Sequence, residues 1–150
     1  MDAGHAEDRD FSKSTSGYFI FVGSALTAWT SKLQSTVTTS STHAEHFATY
    51  HCVIDLIWHR NVLRAMNLLD ETPSIISGDS QPSQNLASDW MVTSRSKHFD
   101  VKFRYINEQV DEGSITFRHI PGSDNIADCL TKVVSEEKLI RSMDRIGLRL

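Results

Sequence analysis

Cysteine is scarce in this chain of 150 residues: Cys52 and Cys129 are the only two, and neither stands in a C-x-x-C or comparable pair. That excludes a disulfide framework and a thiolate zinc site as organising features, and leaves two buried, reduced thiols as the plain expectation. Long apolar runs are missing too. The longest, "YFIFVG" and "HCVIDLIW", fall far short of the roughly 20 residues that span a bilayer, and the opening "MDAGHAEDRD" is polar and acidic rather than signal-like. No membrane partner and no secretory signal are expected. An excess of positive charge is also lacking. With 15 Lys and Arg against 19 Asp and Glu the net charge is −4, which argues against a large basic surface clamped on nucleic acid. It leaves room for an enzyme whose acids are neutralised by metal.

What is present is an ordinary globular composition, 39% hydrophobic and 23% charged, long enough for one domain with a sizeable core. "GYFIFVGSALTAWTSK" reads as two strands joined by a turn at Gly23 and Ser24, with Tyr18 to Val22 apolar on both faces and so expected to be covered on both sides. From Thr42 to about Leu69 the spacing turns helical, through Phe47, Ile54, Ile57, Trp58 and Leu63. Thr42 with Glu45 has the form of a capping box, which starts the helix at Ser41 or Thr42 and puts Glu45 in its first turn. "TPSIISGDS" is a strand ending at Gly78 and Asp79, and Pro82 to Trp90 follows as a helix. "SRSKHFDVKFRYINEQVDEG" is a polar loop opening into a helix stopped by Gly113. "SITFRHI" alternates as a strand, "SDNIADCLTK" reads as a short helix, and "SEEKLIRSMDRIGL" as a closing amphipathic helix with Leu139, Met143 and Ile146 on one side. Trp29, Trp58 and Trp90 read as core or helix-packing residues. The class is mixed α/β, helices covering a partly antiparallel sheet.

The run "STHAEHFATYH" raises a metal question. His43 and His46 stand three apart, which allows a shared zinc ion but matches neither H-E-x-x-H nor H-x-x-E-H. His51 and His59 read as helix-surface or partly buried residues. The other candidates are acids: Asp2 at the start, Glu45 on the long helix, Asp79 at a strand's end and Asp128 after the last strand. Carboxylates brought together repel unless a divalent cation neutralises them, and hard oxygen ligands suit Mg²⁺ or Mn²⁺. Spacing alone does not separate this from four solvated surface acids.

Local wording does. "MDAGHAED" with "STSGY", "TSKLQSTVTTSSTHAEHFA", "GDSQPS", "SRSKHFDVKFRYINEQVDEG" and "IPGSDNIADCLTK" resemble, in order and spacing, the ribonuclease H domain of copia-type LTR retrotransposon Pol polyproteins. The resemblance implies a ribonuclease H-like fold over residues 1–132, a mixed five-stranded sheet flanked by helices, and a C-terminal helical extension, 133–150, packed on it. It implies that Asp2, Glu45, Asp79 and Asp128 are the catalytic acids. They would hold two Mg²⁺ or Mn²⁺ ions that serve hydrolysis of the RNA strand of an RNA–DNA hybrid. Arg95, Lys97 and His98, in the matched "SRSKHFD", read either as weak phosphate contacts or as a merely solvated loop. The hybrid would be read by backbone shape and 2′-hydroxyls, with the reverse transcriptase domain of the parent polyprotein as partner. The setting would be intracellular, in a cytoplasmic virus-like particle or the nucleus.

Departures qualify the resemblance. His43 stands where the family usually has a second glutamate, Ser80 where asparagine is common, Gly4 and His5 replace an acid and an aromatic residue, and Val133 replaces a proline. The first strand is N-terminally truncated relative to the family, since only Met1 precedes Asp2, so Asp2 is expected to fray. The alternative to an active nuclease is therefore a catalytically inactive remnant that keeps the fold and binds nucleic acid weakly at most.

Overall fold

The computed structural model describes residues 1–6, 12–79 and 97–148. Three antiparallel strands open the chain: β1 (Asp2–Gly4), β2 (Thr15–Val22) and β3 (Ala25–Leu33), in the order β1-β2-β3. Gly23 takes φ +62° at the β2–β3 turn, a value that side chains resist. A bulge between Ile20 and Phe21 shifts the register. The expectation that β2 is covered on both faces fails. Tyr18 and Ile20 are buried, whereas Phe19 and Phe21 are half-buried and Val22 is exposed. Trp29 is the direct cross-strand partner of Phe19 and so shares its open face; at 63% exposed it is a surface residue, not a core one.

The long helix α1 spans Ser41–Ala65, four residues shorter at its end than expected. Its cap is not Thr42 but Ser40, whose Oγ accepts from the His43 N–H at 3.2 Å. Glu45 therefore sits beyond the first turn, which holds no acid. The buried face is also displaced from the large apolar residues. Ala44, Ala48, Thr49, Cys52 and Val53 face the sheet, while Ile54 and Trp58 are 37% and 61% exposed. Small residues along the inner face let the helix axis approach the strands closely, so Trp58 is left for the solvent side. Further on, buried Arg60 donates to the Thr72 carbonyl at 2.9 Å and to Ser74 Oγ at 2.8 Å, tying the helix to the next strand.

That strand, β4 (Ser74–Gly78), pairs in parallel with β5 (Ile115–His119) through α2 (Lys97–Asp111). Gly113, at φ +70°, ends α2, its N–H bonding Val110 O and that of Ser114 bonding Gln109 O. The β1–β2–β3 and β4–β5 ladders are joined at Met1, whose ammonium donates to Ser77 O at 2.7 Å. Together they form the mixed α/β arrangement expected. Met1, Tyr18, Ile20, Cys52, Val53, Ile76, Ile106 and Ile115 make the core at this joint. Cys52 is buried and free, as expected; Cys129 is free and half-buried.

After β5 the short helix read in "SDNIADCLTK" forms as two 3₁₀ turns, Gly122–Asp124 and Ile126–Leu130. The closing helix α3 (Glu136–Arg145) presents Lys138 and buried Ser142 inward with half-buried Met143, while Leu139 is 43% exposed. Met143 and Ile146 are half-buried where the periodicity places them, Leu139 is not, and Lys138 adds a polar contact to Asp128 that periodicity does not reveal. The helix read at Pro82 to Trp90, with Trp90, lies outside the described residues. No helix among those described is long and apolar enough to cross a membrane.

Candidate active site

Each of the four acids arrives on a separate element. Asp2 lies on β1 opposite Gly17 of β2, and Asp79 follows the last residue of β4. Glu45 reaches in from α1, its Oε1 accepting from the Ala3 N–H at 3.2 Å. Asp128 comes from the second 3₁₀ turn. That turn lies directly on β2, because Gly17 has no side chain. A Cβ there would stand 2.6 Å from Thr131 Cγ2 and 2.8 Å from Leu130 Cβ, both too close for any real contact. Gly17→Ala is accordingly expected to destabilise the fold by about 1–3 kcal/mol through overpacking. Thermal melts of the variant beside the parent check this.

Asp2, Asp79 and Asp128 each offer one carboxylate oxygen, and the three atoms lie within 4.8 Å of one another. Asp2 is not frayed. It is 2% exposed, accepts a hydrogen bond from Thr131 Oγ1, and has Lys132 Nζ at 3.6 Å. The reason is tertiary: the segment after β5 folds back over β1 and holds Asp2 from the far side of the sequence. Asn125, 1% exposed, does the same for the joint, its amide donating to Asp79 Oδ1 at 3.0 Å and to Met1 O at 3.2 Å.

Electrostatics follow from this crowding. Burial first, and then the Asp2 charge, push Glu45 up to about 8, with the Ala3 N–H opposing. Burial likewise raises Asp2, helped by the charges of Asp128 and Asp79 and opposed by Thr131 and Lys132. Burial would lower Lys132, yet the Asp2 and Asp128 charges leave it raised. Two oxygens are left over: Glu45 Oε2 and Asp128 Oδ1 are buried and accept no hydrogen bond. Orphaned carboxyl oxygens beside a converging carboxylate cluster fit a hard divalent cation.

No family model matches the chain. Over 148 residues, 98% of its length, it is 36% identical to the retrovirus-related Pol polyprotein from transposon TNT 1-94 of Nicotiana tabacum. Over 147 residues it is 30% identical to that from transposon RE1 of Arabidopsis thaliana. The chain spans 11% and 10% of those two polyproteins. Among solved structures, LC11-RNase H1, isolated from compost by a metagenomic approach, superposes with a TM-score of 0.62 at 18% identity, covering 95% of this chain and 94% of that one. The chain is homologous to one segment of copia-type transposon Pol polyproteins and carries the ribonuclease H fold.

Within this ribonuclease H fold the run contributes Glu45, and its histidines are not among the residues grouped at the acid cluster. His46 packs edge-on against the Phe103 ring at 4.4 Å, and burial, with His43 beside it, lowers it to about 4. His43 Nδ1 lies 3.2 Å from Thr39 Oγ1. Among the described residues the one group able to hold a metal through three ligands is Asp2, Asp79 and Asp128. Arg95 lies outside the described residues. Lys97 and His98 open α2, and their side chains are likewise outside the description.

Sequence reading passed over Asn125, Thr131, Lys132 and Lys138. Asn125 carried one local signal, an N-cap position before "IADC", where its Oδ1 accepts from the Ala127 N–H. Lys138 carried none, since only the docking of α3 brings it to Asp128.

Proposed function

We propose that this chain is a retrotransposon-derived ribonuclease H that hydrolyses the RNA strand of RNA–DNA hybrids. Asp2, Glu45, Asp79 and Asp128 would hold Mg²⁺ or Mn²⁺, two ions in the working state. The reading rests chiefly on one observation: Asp2, Asp79 and Asp128 bring carboxylate oxygens from separate elements within 4.8 Å of one another, Glu45 interacts with two of them, and two buried oxygens, Glu45 Oε2 and Asp128 Oδ1, are left without a partner. The ribonuclease H fold and the Pol polyprotein homology support it. Bound divalent ions supply an activated water and neutralise charge on the phosphodiester.

The chain's own residues do the positioning. Thr131 orients Asp2, Asn125 orients Asp79, and the Ala3 N–H fixes one oxygen of Glu45. Arg95, Lys97 and His98 are the candidates for phosphate contact, and the reverse transcriptase domain of a parent polyprotein is the proposed partner. Residues 1–132 would form the catalytic unit and 133–150 an extension of it, α3 reaching the cluster through Lys138.

One observation favours the inactive-remnant reading. Asp128 Oδ2 is already held by two lysines, Lys132 at 3.2 Å and Lys138 at 2.5 Å. The deciding assay uses an RNA–DNA hybrid with a labelled RNA strand. Cleavage with Mg²⁺ or Mn²⁺, abolished by EDTA and absent on single-stranded RNA and duplex DNA, is expected. A folded chain that leaves the hybrid intact with both metals would instead support the remnant.

A further inference from the structure

The lysines at Asp128 come from different elements and meet at one atom. Lys132 follows the second 3₁₀ turn, and its Nζ bridges Asp128 Oδ2 at 3.2 Å and Asp2 Oδ2 at 3.6 Å. Lys138 on α3 places its Nζ 2.5 Å from the same Asp128 oxygen and 2.6 Å from the Gly122 carbonyl. Gly122 in turn lies against Asp79, where a Cβ would stand 3.1 Å from Oδ2. The two ammoniums thus sit on one side of the cluster, touching Asp2 and Asp128 and, through the Gly122 turn, the neighbourhood of Asp79. Glu45 instead interacts with Asp2, Asp79 and the Met1 ammonium, and among the described residues no lysine or arginine comes within ion-pair distance of it.

We infer that Lys132 and Lys138 act as built-in cations at the Asp128 side of the cluster, so that the free protein takes one divalent ion and admits a second only as these ammoniums are displaced. The inference rests on the metal reading above and deepens it. Once a bound cation has displaced the Glu45 proton, the two ammoniums cancel two of the four negative charges, and the remaining two match a single divalent ion. Asp128 points the same way at the level of atoms. Its Oδ2 is saturated by ammonium, while buried Oδ1 stays open. A lysine holds carboxylate as a compact point charge on a flexible stem, so it can swing away without rebuilding the backbone. Lys138 is 22% exposed and Lys132 38%, leaving both a path to solvent. They are positioning residues, acting on the cluster through Asp128 and Asp2.

The test is Mn²⁺ stoichiometry in the full chain, read by calorimetry and by the electron paramagnetic resonance of free Mn²⁺. The parent protein is expected to bind one ion tightly, and the Lys132→Met, Lys138→Met double variant two, the second at least about tenfold tighter than in the parent. Lys138→Arg keeps a cation and should still bind one. If the double variant melts too low to titrate, Lys138→Met alone should show the second ion strengthened. Two equally tight ions in the parent, with hybrid cleavage intact, overturn this inference and leave the nuclease standing. One ion in the folded double variant, or a second ion that the single variant does not strengthen, overturns it as well. No ion bound by any of these proteins overturns the metal reading and this inference together.

Discussion

Asp79→Asn is expected to abolish metal-dependent cleavage of hybrid RNA while leaving the fold nearly as stable as before. The two halves of that outcome have separate causes. Asparagine keeps a carbonyl oxygen where Asp79 Oδ1 accepts from Asn125, a bond of 3.0 Å, so the joint between β4 and the 3₁₀ segment survives. Asp79 is also only half-buried, which limits the cost of replacing a carboxylate by an amide. What disappears is the negative charge among the three oxygens that lie within 4.8 Å. A hard cation is held by charged oxygen, and an amide is a far weaker ligand. Residues that merely orient a metal ligand typically cost about 10- to 100-fold in affinity or activity, so loss of a ligand itself should exceed a hundredfold. Single-turnover cleavage of a labelled hybrid and a parallel Mn²⁺ titration measure the two effects, and a melt measures stability. Cleavage persisting at the parent rate would sink the assignment of Asp79 or expose a contaminating nuclease.

How much of this was legible before folding differs from element to element. The β2–β3 hairpin, β4, β5 and the end of α2 at Gly113 were readable because alternation, a glycine turn and a C-terminal glycine are local signals. The inner face of α1 was not. It is carried by Ala44 and Ala48, which have little hydrophobic weight, whereas Trp58 and Ile54 dominate any periodicity and yet face solvent. Asp2 was expected to fray on the evidence of its position alone. Its burial depends on Thr131 and Lys132, some 130 residues away, and no local pattern encodes that. The four acids themselves were named through resemblance to a family; spacing could not have separated them from 15 others among the 19 Asp and Glu. Lys138 illustrates the remaining gap. Read on its own helix it looks like solvated surface, and only the packing of α3 on the 3₁₀ turn turns it toward Asp128.

The metal-free protein should lose stability as pH rises through the neutral range, the opposite of what ordinary ion-paired carboxylates produce. Glu45 is the cause. Burial, followed by repulsion from Asp2, lifts it from an ordinary value of 4.5 to about 8. A carboxyl with a raised folded-state value holds its proton where the unfolded chain has released it. The folded state therefore binds more protons between those two values, and its stability declines with pH across that window. Below the lower value both states are protonated and the effect vanishes. Asp2, raised by burial and by its acidic neighbours, adds to the same slope at its lower end. A bound divalent cation reverses the balance, since it competes with the proton for the same oxygens. Melting temperature in EDTA should fall between about pH 5 and pH 8, and the rise produced by Mn²⁺ should grow over the same interval. Glu45→Gln separates this from a general charge effect. Glutamine keeps a carbonyl oxygen for the Ala3 N–H, now 3.2 Å from Oε1, but carries no titrating proton. The variant should show a flatter profile in EDTA, greater metal-free stability than the parent at the alkaline end, and a much smaller response to Mn²⁺. A parent melting temperature that stays level or climbs with pH, or a glutamine variant with an unchanged slope, would remove Glu45 from this role. The same buried carboxyl that costs the empty fold stability is then the one that binding a cation relieves, which ties the stability of the fold to occupancy of its acid cluster.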